Sequence, residues 1–378
     1  MIKLIHSADL HFDGAFPLRD PIKAETRKNE LRAVFSSLIY WAKTENADFL
    51  VLAGDLFDTP HPTPQTVEFV LSQLRLIPSC RVLITPGEHD YLATDGVYQT
   101  YAFPENVTVF RSDKLTHETF TTASGETVTV YGRAFTLPTA SENPLSGLSL
   151  EESDTVRLLI LHADLDKDSH YAPITLADIQ KSHADYVALG HRHNEPGIKK
   201  LDNTYFGYAG SLESHSFSDC GERGAYKLDI TKTGGVTTCR PSFFRLSKRV
   251  YAVDTLDISG IRTLDDGKNK LLTEFKAKGY QKDTLLRLTL TGDVPYEVSL
   301  NEKALADTLA SLYYCEIVDE TSPTFDMEAL KKDPTVKGEL ARTLAPLFDS
   351  PDEEERRCAR RALKYGILAL MGADVGEV

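Results

Sequence analysis

Short runs of apolar residues that end abruptly in Asp, His or Gly recur through residues 1–230. Each run has the length and composition of a buried strand, and the apolar spacing in 29–45 and 64–76 predicts helices between the early runs. This alternation favours a layered α/β fold, and such folds bind ligands beyond the carboxyl ends of their strands. We therefore expect the polar ends to meet along one edge of the core. The runs read KLIHSADLH, DFLVLAGDLFD, RVLITPGEHD, RLLILHADLD, DYVALGHRH and YFGYAGS.

The pattern changes after about residue 240. RVYAVDTLDIS, TLLRLTLTG and YYCEIVDE predict strands, and the apolar spacing near 262–278 and 301–312 predicts helices between them. The pattern of the tail is helical. These changes divide the chain into a core domain over 1–240, a small α+β domain over 241–323 and a helical C-terminal segment over 324–378.

The last predicted helix has clear end signals. Ser350 is a capping residue, Pro351 suits the first helical position, and Gly372 can end the helix. The apolar residues of this helix form one stripe, which either packs on its own domain or docks on a partner protein; the sequence leaves both open. The stripe consists of Cys358, Ala362, Leu363, Ile367 and Leu370.

The formal net charge of −14 opposes a protein that holds nucleic acid through a broad basic face. A polyanionic substrate would have to be bound by a local positive charge, and bound divalent cations would supply one. The five cysteines are odd in number and contain no CxxC pair, which predicts reduced thiols rather than disulfides or a thiolate metal site. No long apolar run is present, and the N-terminus meets Asp9 before an export signal could form, so we expect a cytoplasmic protein with no membrane attachment.

The polar ends of the strands contain carboxylates and imidazoles but no thiolate. Each residue alone has a structural explanation, because an Asp can cap a helix or lie in a turn, and a lone His is more often hydrogen-bonded than a ligand. Together, however, carboxylates and neutral imidazoles from five strand ends suit Mn²⁺, Fe²⁺ or Zn²⁺. The candidates are Asp9, His11, Asp55, Glu88, His89, Asp90, His162, His191 and His193.

In chain order, SADLH, AGDLFD, PGEHD, LHAD and GHRH resemble the five motifs of calcineurin-like metallophosphoesterases. Within that superfamily, LVLAGDLFD, YAPITLADIQ, DYVALGHRH and YAGSLESHSFSDCGERGAYKLDI are most similar to bacterial DNA-repair exonuclease subunits of the SbcD and YhaO type. The resemblance covers about residues 1–230 and implies a core of two mixed β-sheets flanked by helices. It also implies that the small α+β domain caps the core and that the C-terminal helices dock on a coiled-coil ATPase of the SbcC type, with a homodimer as a further option.

The resemblance implies a centre of two divalent ions, with Mn²⁺ expected first and Fe²⁺ or Zn²⁺ as alternatives. Carried over position by position, it implies that metal one is held by Asp9, His11 and His193, metal two by Glu88, His162 and His191, and that Asp55 bridges both. His89 matches the family's catalytic histidine. Asp90 either orients His89 or is an ordinary turn residue.

The implied function is that of a metal-dependent phosphodiesterase acting on DNA, as a repair exonuclease subunit in which a metal-bound hydroxide attacks phosphorus. Two other interpretations stay open. One is a phosphoesterase for small nucleotides or phosphomonoesters, which the acidic charge favours. The other is a catalytically weakened scaffold that binds a partner protein.

Glu88 gives the scaffold interpretation its best support, because the family has Asn at this position. With Asp9 and Asp55, Glu88 would place three negative charges against the four positive charges of two divalent ions. We expect this to hold metal two more tightly and to attract phosphate less. Alternatively, the longer side chain displaces metal two, and the protein is a slow or altered hydrolase.

A cluster of basic residues follows the first motif and could guide a DNA backbone. Asp20, Glu25 and Glu30 interleave with it, so the favoured interpretation is a solvated helix face. The cluster consists of Arg19, Lys23, Arg27, Lys28 and Arg32.

Overall fold

The computed structural model of the protein describes residues 1–151, 153–194 and 196–372. The chain forms two compact units, Met1–Val250 and Tyr251–Val378. Throughout these described ranges, no helix combines the length and the apolar character that crossing a membrane requires.

The first unit alternates strands with helices in its first part and then continues mainly as strands. Its strands are β1 (Ile2–Ser7), β2 (Phe49–Leu52), β3 (Arg81–Ile84), β4 (Val107–Val109), β5 (Thr116–Thr121), β6 (Thr127–Gly132), β7 (Val156–His162), β8 (Tyr186–Gly190), β9 (Gly197–Leu201), β10 (Thr204–Tyr208), β11 (Gly224–Thr233) and β12 (Val236–Arg245). Its helices are α1 (Pro21–Thr44), α2 (Pro64–Leu74), α3 (Val97–Thr100) and α4 (Leu176–Ser182).

These strands form two six-stranded mixed sheets, which confirms the predicted layered α/β core. The first sheet has the order β12-β11-β1-β2-β3-β4, with β1 to β4 parallel and β11 antiparallel to β1. The second has the order β5-β6-β7-β8-β10-β9, with β6, β7, β8 and β10 parallel. Because parallel strands end at the same edge of a sheet, the loops that follow β1, β2 and β3 lie side by side.

Side-chain alternation along the strands explains the layers. Leu4 of β1 and Val51 of β2 belong to an apolar cluster that also contains Leu158 of β7, so this cluster fills the space between the two sheets. Ile5 and Leu50 point the other way and pack with the apolar residues of α1 and α2. All residues of β7 and β8 are buried, as expected for parallel strands covered on both faces.

Helix α1 begins at Pro21 rather than at residue 29, where the apolar spacing begins. The Asp20 carboxylate caps the helix, accepting hydrogen bonds from the backbone N–H groups of Ile22 (3.0 Å) and Lys23 (3.1 Å). Apolar periodicity missed the first two turns because they carry mostly polar side chains.

Arg27 of α1 is fully buried, so the interpretation of the basic cluster as a solvated face is wrong for this residue. Its guanidinium donates to Glu213 at 2.6 Å and also pairs with Glu30. Glu30 in turn accepts from Arg249, with Nε at 2.9 Å. A buried guanidinium needs such carboxylates, because an unpaired buried charge is costly.

Trp41, near the end of α1, stacks on Phe244 of β12 with 4.7 Å between ring centroids and 19° between planes. This contact packs the end of α1 against β12, the edge strand of the first sheet. Phe244 is 46% exposed, so the aromatic pair lies at the surface of the unit.

Strand β13 (Val250–Asp257) starts at the last residue of the first unit, and the remaining elements lie in the second. They are α5 (Leu264–Lys278), β14 (Thr284–Thr291), β15 (Asp293–Pro295), α6 (Glu302–Thr308), β16 (Tyr314–Asp319), β17 (Ser322–Thr324), α7 (Met327–Lys332), α8 (Val336–Leu344), a 3₁₀ helix (Ala345–Asp349) and α9 (Glu353–Leu370). Strands β13, β14 and β16 form one sheet, and β15 pairs with β17. One apolar cluster joins this sheet to α5 and α6, and a separate cluster joins α7, α8 and α9.

The N-terminal cap of α9 is Asp352, whose carboxylate accepts from the Glu354 N–H at 2.9 Å. The prediction that Ser350 caps this helix is therefore wrong by two positions. The predicted apolar stripe divides into two parts. Leu363 and Ile367 are buried in the helical cluster, whereas the other stripe residues, Cys358, Ala362 and Leu370, are exposed.

Candidate metal centre

The strand ends that carry the predicted ligands lie at one edge of the first unit. The residues are placed as follows: Asp9 and His11 after β1, Asp55 after β2, Glu88 and His89 after β3, His162 at the end of β7, and His191 and His193 after β8. Overlapping groups of three residues, with ligand atoms within 4.8 Å of one another, join all seven predicted ligands and His89. The fold thus brings together residues that are up to 184 positions apart in the chain (193 − 9).

Two glycines allow the backbone to close around His162. A Cβ at Gly54, where φ is 93°, would lie 2.0 Å from His162 Nδ1, and a Cβ at Gly190 would lie 1.8 Å from the Ala53 carbonyl oxygen. No other residue fits at either position. As a result the Ala53 carbonyl oxygen comes within 2.9 Å of His162 Nδ1.

Asp9, His11 and His193 form the first ligand group. The Nε2 atoms of His11 and His193 lie 3.0 Å apart, so both imidazoles point to the same place. Asp9 is fully buried and also accepts from the backbone N–H of His191 at 3.0 Å. That bond connects the first group to the loop that carries the second.

Glu88, His162 and His191 form the second ligand group. Glu88 Oε1 lies 2.8 Å from His191 Nδ1, and Glu88 Oε2 contacts His162 Nε2. The buried carboxylate of Asp55 lies between the groups, with Oδ2 at 3.3 Å from His162 Nε2 and 3.8 Å from His11 Nε2. Asp55 is therefore placed where a bridging ligand would be.

Proton positions show that the second group suits a cation. A carbonyl oxygen only accepts, so His162 donates to Ala53 through Nδ1–H, and a neutral His162 directs the lone pair of Nε2 towards Asp55 and Glu88. Neither this Nε2 nor Glu88 Oε2 has a hydrogen-bond partner of good geometry, although both are buried. Burial would lower the pKa of His162, but Glu88 and Asp55 raise it well above its ordinary value. The same two carboxylates would attract a metal cation.

The first ligand group also suits a cation. His11 Nδ1 lies 3.0 Å from Asp58 Oδ1, and His193 Nδ1 lies 3.3 Å from Asp219 Oδ2. With protons on these Nδ1 atoms, both Nε2 atoms present lone pairs to each other at 3.0 Å, which is unfavourable unless they share a cation. Oxygen and nitrogen donors without a thiolate match a divalent cation at each group.

His89 lies on the open side of the first group. Its ring meets His11 edge-on, with 4.7 Å between centroids, and its side chain is 45% exposed. Nδ1 of His89 lies 3.4 Å from Asp58 Oδ1, and this interaction raises the pKa of His89 to about 9. The exposed ring can thus meet a substrate, while Asp58 holds its inner edge.

Asp90 turns away from this ring. Its buried carboxylate accepts from the backbone N–H of Gly87 (2.7 Å), from the N–H of Phe57 (3.2 Å) and from the Tyr98 hydroxyl (2.6 Å). Burial raises the pKa of Asp90 to about 6. Asp90 therefore fastens the loop after β3 to the loop after β2, and the role of orienting His89 falls to Asp58.

Residues 2–195 match the sequence model of the calcineurin-like phosphoesterases. The chain belongs to this family. The match covers more than half of the chain and contains all seven candidate ligands and His89.

Individual calcineurin-like relatives match beyond that range. The uncharacterized metallophosphoesterase YhaO of Bacillus subtilis is 26% identical over 303 residues, which are 78% of this chain and 72% of YhaO. The DNA double-strand break repair protein Mre11 of Saccharolobus solfataricus is 26% identical over 348 residues, which are 86% of this chain and 84% of that protein. Mre11 of Archaeoglobus fulgidus is 27% identical over 290 residues, which are 68% of this chain and 62% of that protein. The resemblance to YhaO-type proteins is thus confirmed.

Sequence reasoning missed two parts of the calcineurin-like site. Asp58 had a signal, because it is a second carboxylate in AGDLFD, three positions after Asp55. Asp219 and Arg223 lie after the matched range, in ESHSFSDCGER, a segment that had no assigned role. Arg223 donates to the backbone carbonyl of His193 and, at 2.6 Å, to that of Cys220. This segment therefore supports the His193 loop from outside the range that matches the family.

Proposed function

We propose that this protein is a metal-dependent phosphodiesterase that acts on DNA as a repair exonuclease subunit. The observation that carries the proposal is the arrangement of two ligand groups around the shared Asp55, with His89 exposed beside them. In this proposal Asp9, His11 and His193 hold one divalent ion, Glu88, His162 and His191 hold the other, and Mn²⁺ is the working metal.

When bound, two divalent ions would neutralise an anionic phosphodiester, lower the pKa of a water molecule and align the displacement. The chain supplies the remaining groups. His89 Nδ1 faces Asp58, so Nε2 is the atom left for the substrate, where it donates a proton to the departing sugar oxygen. The backbone N–H of His89 donates to Asp55 Oδ1 at 3.0 Å, which fixes His89 relative to the bridging carboxylate.

DNA is the proposed substrate for two reasons. Two of the relatives are named DNA double-strand break repair proteins, and one of them aligns with 86% of this chain. The alignment therefore extends into the second unit, beyond the phosphoesterase motifs. In the proposal the α+β part of that unit is the capping domain that the family resemblance implies.

The decisive experiment compares substrates. The purified protein with Mn²⁺ is assayed on single-stranded and double-stranded oligonucleotides and on a generic phosphomonoester, and EDTA-treated protein is the control. We expect metal-dependent shortening of the oligonucleotides from an end. Activity on the phosphomonoester alone would overturn the proposal for DNA.

A small phosphoester is the second candidate substrate, and the charge of the site favours it. Asp58, Asp164 and Asp219 add three carboxylates around the ligand groups. Arg192, 2.6 Å from Asp164, and Arg223, whose charge acts on Asp219, balance them in part. Such a site gives a long polyanion little attraction beyond that of the metals. A strong preference for phosphomonoesters in the same assay would favour this candidate.

We also propose that α9 docks on a coiled-coil ATPase of the SbcC type. The support is its exposed apolar end, where Leu370 is 49% and Met371 is 61% exposed. Coexpression with such an ATPase and copurification tests this. Leu370→Asp should abolish copurification, whereas Tyr40→Asp, at an exposed position of α1, should not. Equal recovery with both variants would refute the docking site.

A further inference from the structure

The segment 213–223, ESHSFSDCGER, follows β10 and contacts the first ligand group although it carries none of the ligands. It lies outside the range that matches the calcineurin-like family. Within this segment, His215 contacts the turn formed by residues 9–11, through the Leu10 carbonyl oxygen and the ring of His11. The role of His215 depends on which hydrogen bonds hold the backbone of that turn.

The turn has an unusual backbone. Asp9 and His11 both have positive φ angles, 53° and 49°, in the left-handed region that few residues other than Gly adopt. Such a conformation persists only where the surroundings hold it. Hydrogen bonds hold its N–H groups, since Asp9 donates to the Gly54 carbonyl at 3.1 Å and His11 donates to that of Asp55 at 2.9 Å.

The Leu10 carbonyl group of the turn receives its hydrogen bond from His215. Leu10 is fully buried, and a buried carbonyl oxygen needs a donor. His215 Nε2 lies 3.0 Å from the Leu10 oxygen. Because a carbonyl oxygen only accepts, the proton of His215 must be on Nε2, and this N–H donates to Leu10.

The ring of His215 is fixed on two sides. One face stacks on Phe16, with 4.7 Å between centroids and 13° between planes. The ring also meets His11 at 5.5 Å in a T-shaped contact. Its position is therefore set by aromatic packing, and its N–H is aimed at the Leu10 carbonyl rather than at solvent.

The same segment reaches the third member of the first ligand group. Asp219 Oδ2 accepts from the backbone N–H of His215 at 3.3 Å and lies 3.3 Å from His193 Nδ1. The segment thus holds the turn that presents Asp9 and His11 through a side chain, and holds His193 through a carboxylate.

We propose that His215 is a positioning residue of the first metal site, acting through the Leu10 carbonyl to keep Asp9 and His11 in place. This inference rests on the proposed metal centre. Loss of a group that orients metal ligands typically costs about 10- to 100-fold in metal affinity. Loss of the His215 N–H should therefore weaken one of two metal-binding events and leave the second group unaffected.

Three substitutions separate the hydrogen bond from simple packing. His215→Gln places an amide N–H near the position of Nε2, whereas His215→Asn places it near Nδ1, too short to reach the Leu10 oxygen. His215→Phe keeps an aromatic ring against Phe16 but has no donor. His117→Phe, at an exposed position of β5, is the matched control for replacing His with Phe.

The test is calorimetric titration of each metal-free protein with Mn²⁺, with circular dichroism as a check of folding. We expect two binding events in the wild type and in His117→Phe. In the Asn and Phe variants one event should weaken by about 10- to 100-fold, and Gln should restore most of the loss. If Phe fails to fold, the comparison of Gln with Asn still decides.

Unchanged affinities in Asn and Phe, or equal loss in Gln and Asn, would overturn the role of the His215 N–H. Weakening of both events together would also overturn it, because the proposed effect is confined to the first group. A wild-type protein that binds no Mn²⁺ would instead refute the metal centre and hence the proposed function. The two failures are therefore distinguishable without any measurement of activity.

Discussion

One oxygen of Asp58 lies 3.0 Å from Nδ1 of His11 and 3.4 Å from Nδ1 of His89. A single carboxylate thus orients both a candidate metal ligand and the candidate catalytic group. Burial raises the pKa of Asp58, but hydrogen bonds from His11 and His89 outweigh it and hold this pKa far below its ordinary value. The ionised form is therefore the one that the site requires.

Asp58→Asn should reduce turnover by about 10- to 100-fold and weaken one Mn²⁺-binding event, because the amide cannot accept from both imidazoles with a full charge. Steady-state kinetics and Mn²⁺ titration measure the two effects. Asp95→Asn, at an exposed carboxylate paired with His61, is the control and should change neither. Normal turnover and normal Mn²⁺ affinity in Asp58→Asn would contradict this role.

His89→Ala should keep both Mn²⁺ ions and lose about 10²- to 10⁴-fold in turnover, because a general acid contributes about this much and His89 is not among the proposed ligands. Metal content by atomic spectroscopy, measured beside the turnover, separates the two properties. If the variant lost bound metal as well, the division between ligands and catalytic histidine would be wrong.

Glu88→Asn should bind the second metal more weakly, by about tenfold or more, because one carboxylate of that group loses its charge. The Michaelis constant for a phosphodiester should fall, since the site then repels the substrate less. Mn²⁺ titration and steady-state kinetics of wild type and variant measure both. No difference in either quantity would show that position 88 does not tune the site, and a faster variant would favour the interpretation of the natural protein as a slow hydrolase.

Gly87→Ala should displace the Asp55 carboxylate, because a Cβ at position 87 would lie 2.2 Å from Asp55 Oδ1. Asp55 is proposed to bridge both metals, so both binding events should weaken. Gly197→Ala is the control, since a Cβ there meets nothing within 4 Å. Mn²⁺ titration compares the two variants, and an unaffected Gly87→Ala would show that Asp55 does not hold the metals.

Glu30 predicts a pH-dependent contribution to stability. Burial raises its pKa, but hydrogen bonds from Arg249 and Arg27 outweigh this and leave the pKa below its ordinary value of 4.5. The contribution is therefore complete above the pH at which an unfolded glutamate titrates, and is lost as the pH falls through the lower native pKa.

Glu30→Gln should lower the free energy of unfolding by about 1.5–3 kcal/mol at neutral pH, the range for hydrogen bonds to charged groups. The difference from wild type should stay constant from about pH 7 to about pH 5 and should shrink as the pH falls below the ordinary pKa of 4.5. Urea unfolding of the metal-free proteins measures this, with Glu68→Gln, on the exposed face of α2, as the control. A difference that grew on acidification would give the opposite sign and refute the assignment.

The sequence predicted the core, and the meeting of the candidate ligands at one edge of it, because both leave local signals. A buried parallel strand reads as a continuous apolar run, as in RLLILH, and a strand that ends in Asp or His marks the ligand edge. The hairpin of β5 and β6 gave no such signal, because β5 is an almost fully exposed edge strand rich in Thr.

The sequence could not predict which residues that are far apart in the chain contact each other. Nothing local shows that Arg27 meets Glu213, 186 positions away, or that His215 meets the Leu10 carbonyl, 205 positions away. For the same reason the sequence could not decide whether Asp90 orients its neighbour His89 or serves the turn, whereas in the structure its hydrogen bonds include the Tyr98 hydroxyl. Adjacency in the chain does not determine where a carboxylate points.

The stacked pair of Trp41 and Phe244 has a practical consequence, because Trp41 is the single tryptophan of the chain. Its fluorescence therefore follows the unfolding of the first unit, while circular dichroism sees the helices of both units. Two transitions by dichroism, of which only one appears in fluorescence, would reveal that the units unfold separately. The protein thus carries its own optical label for the unit that contains the candidate metal centre.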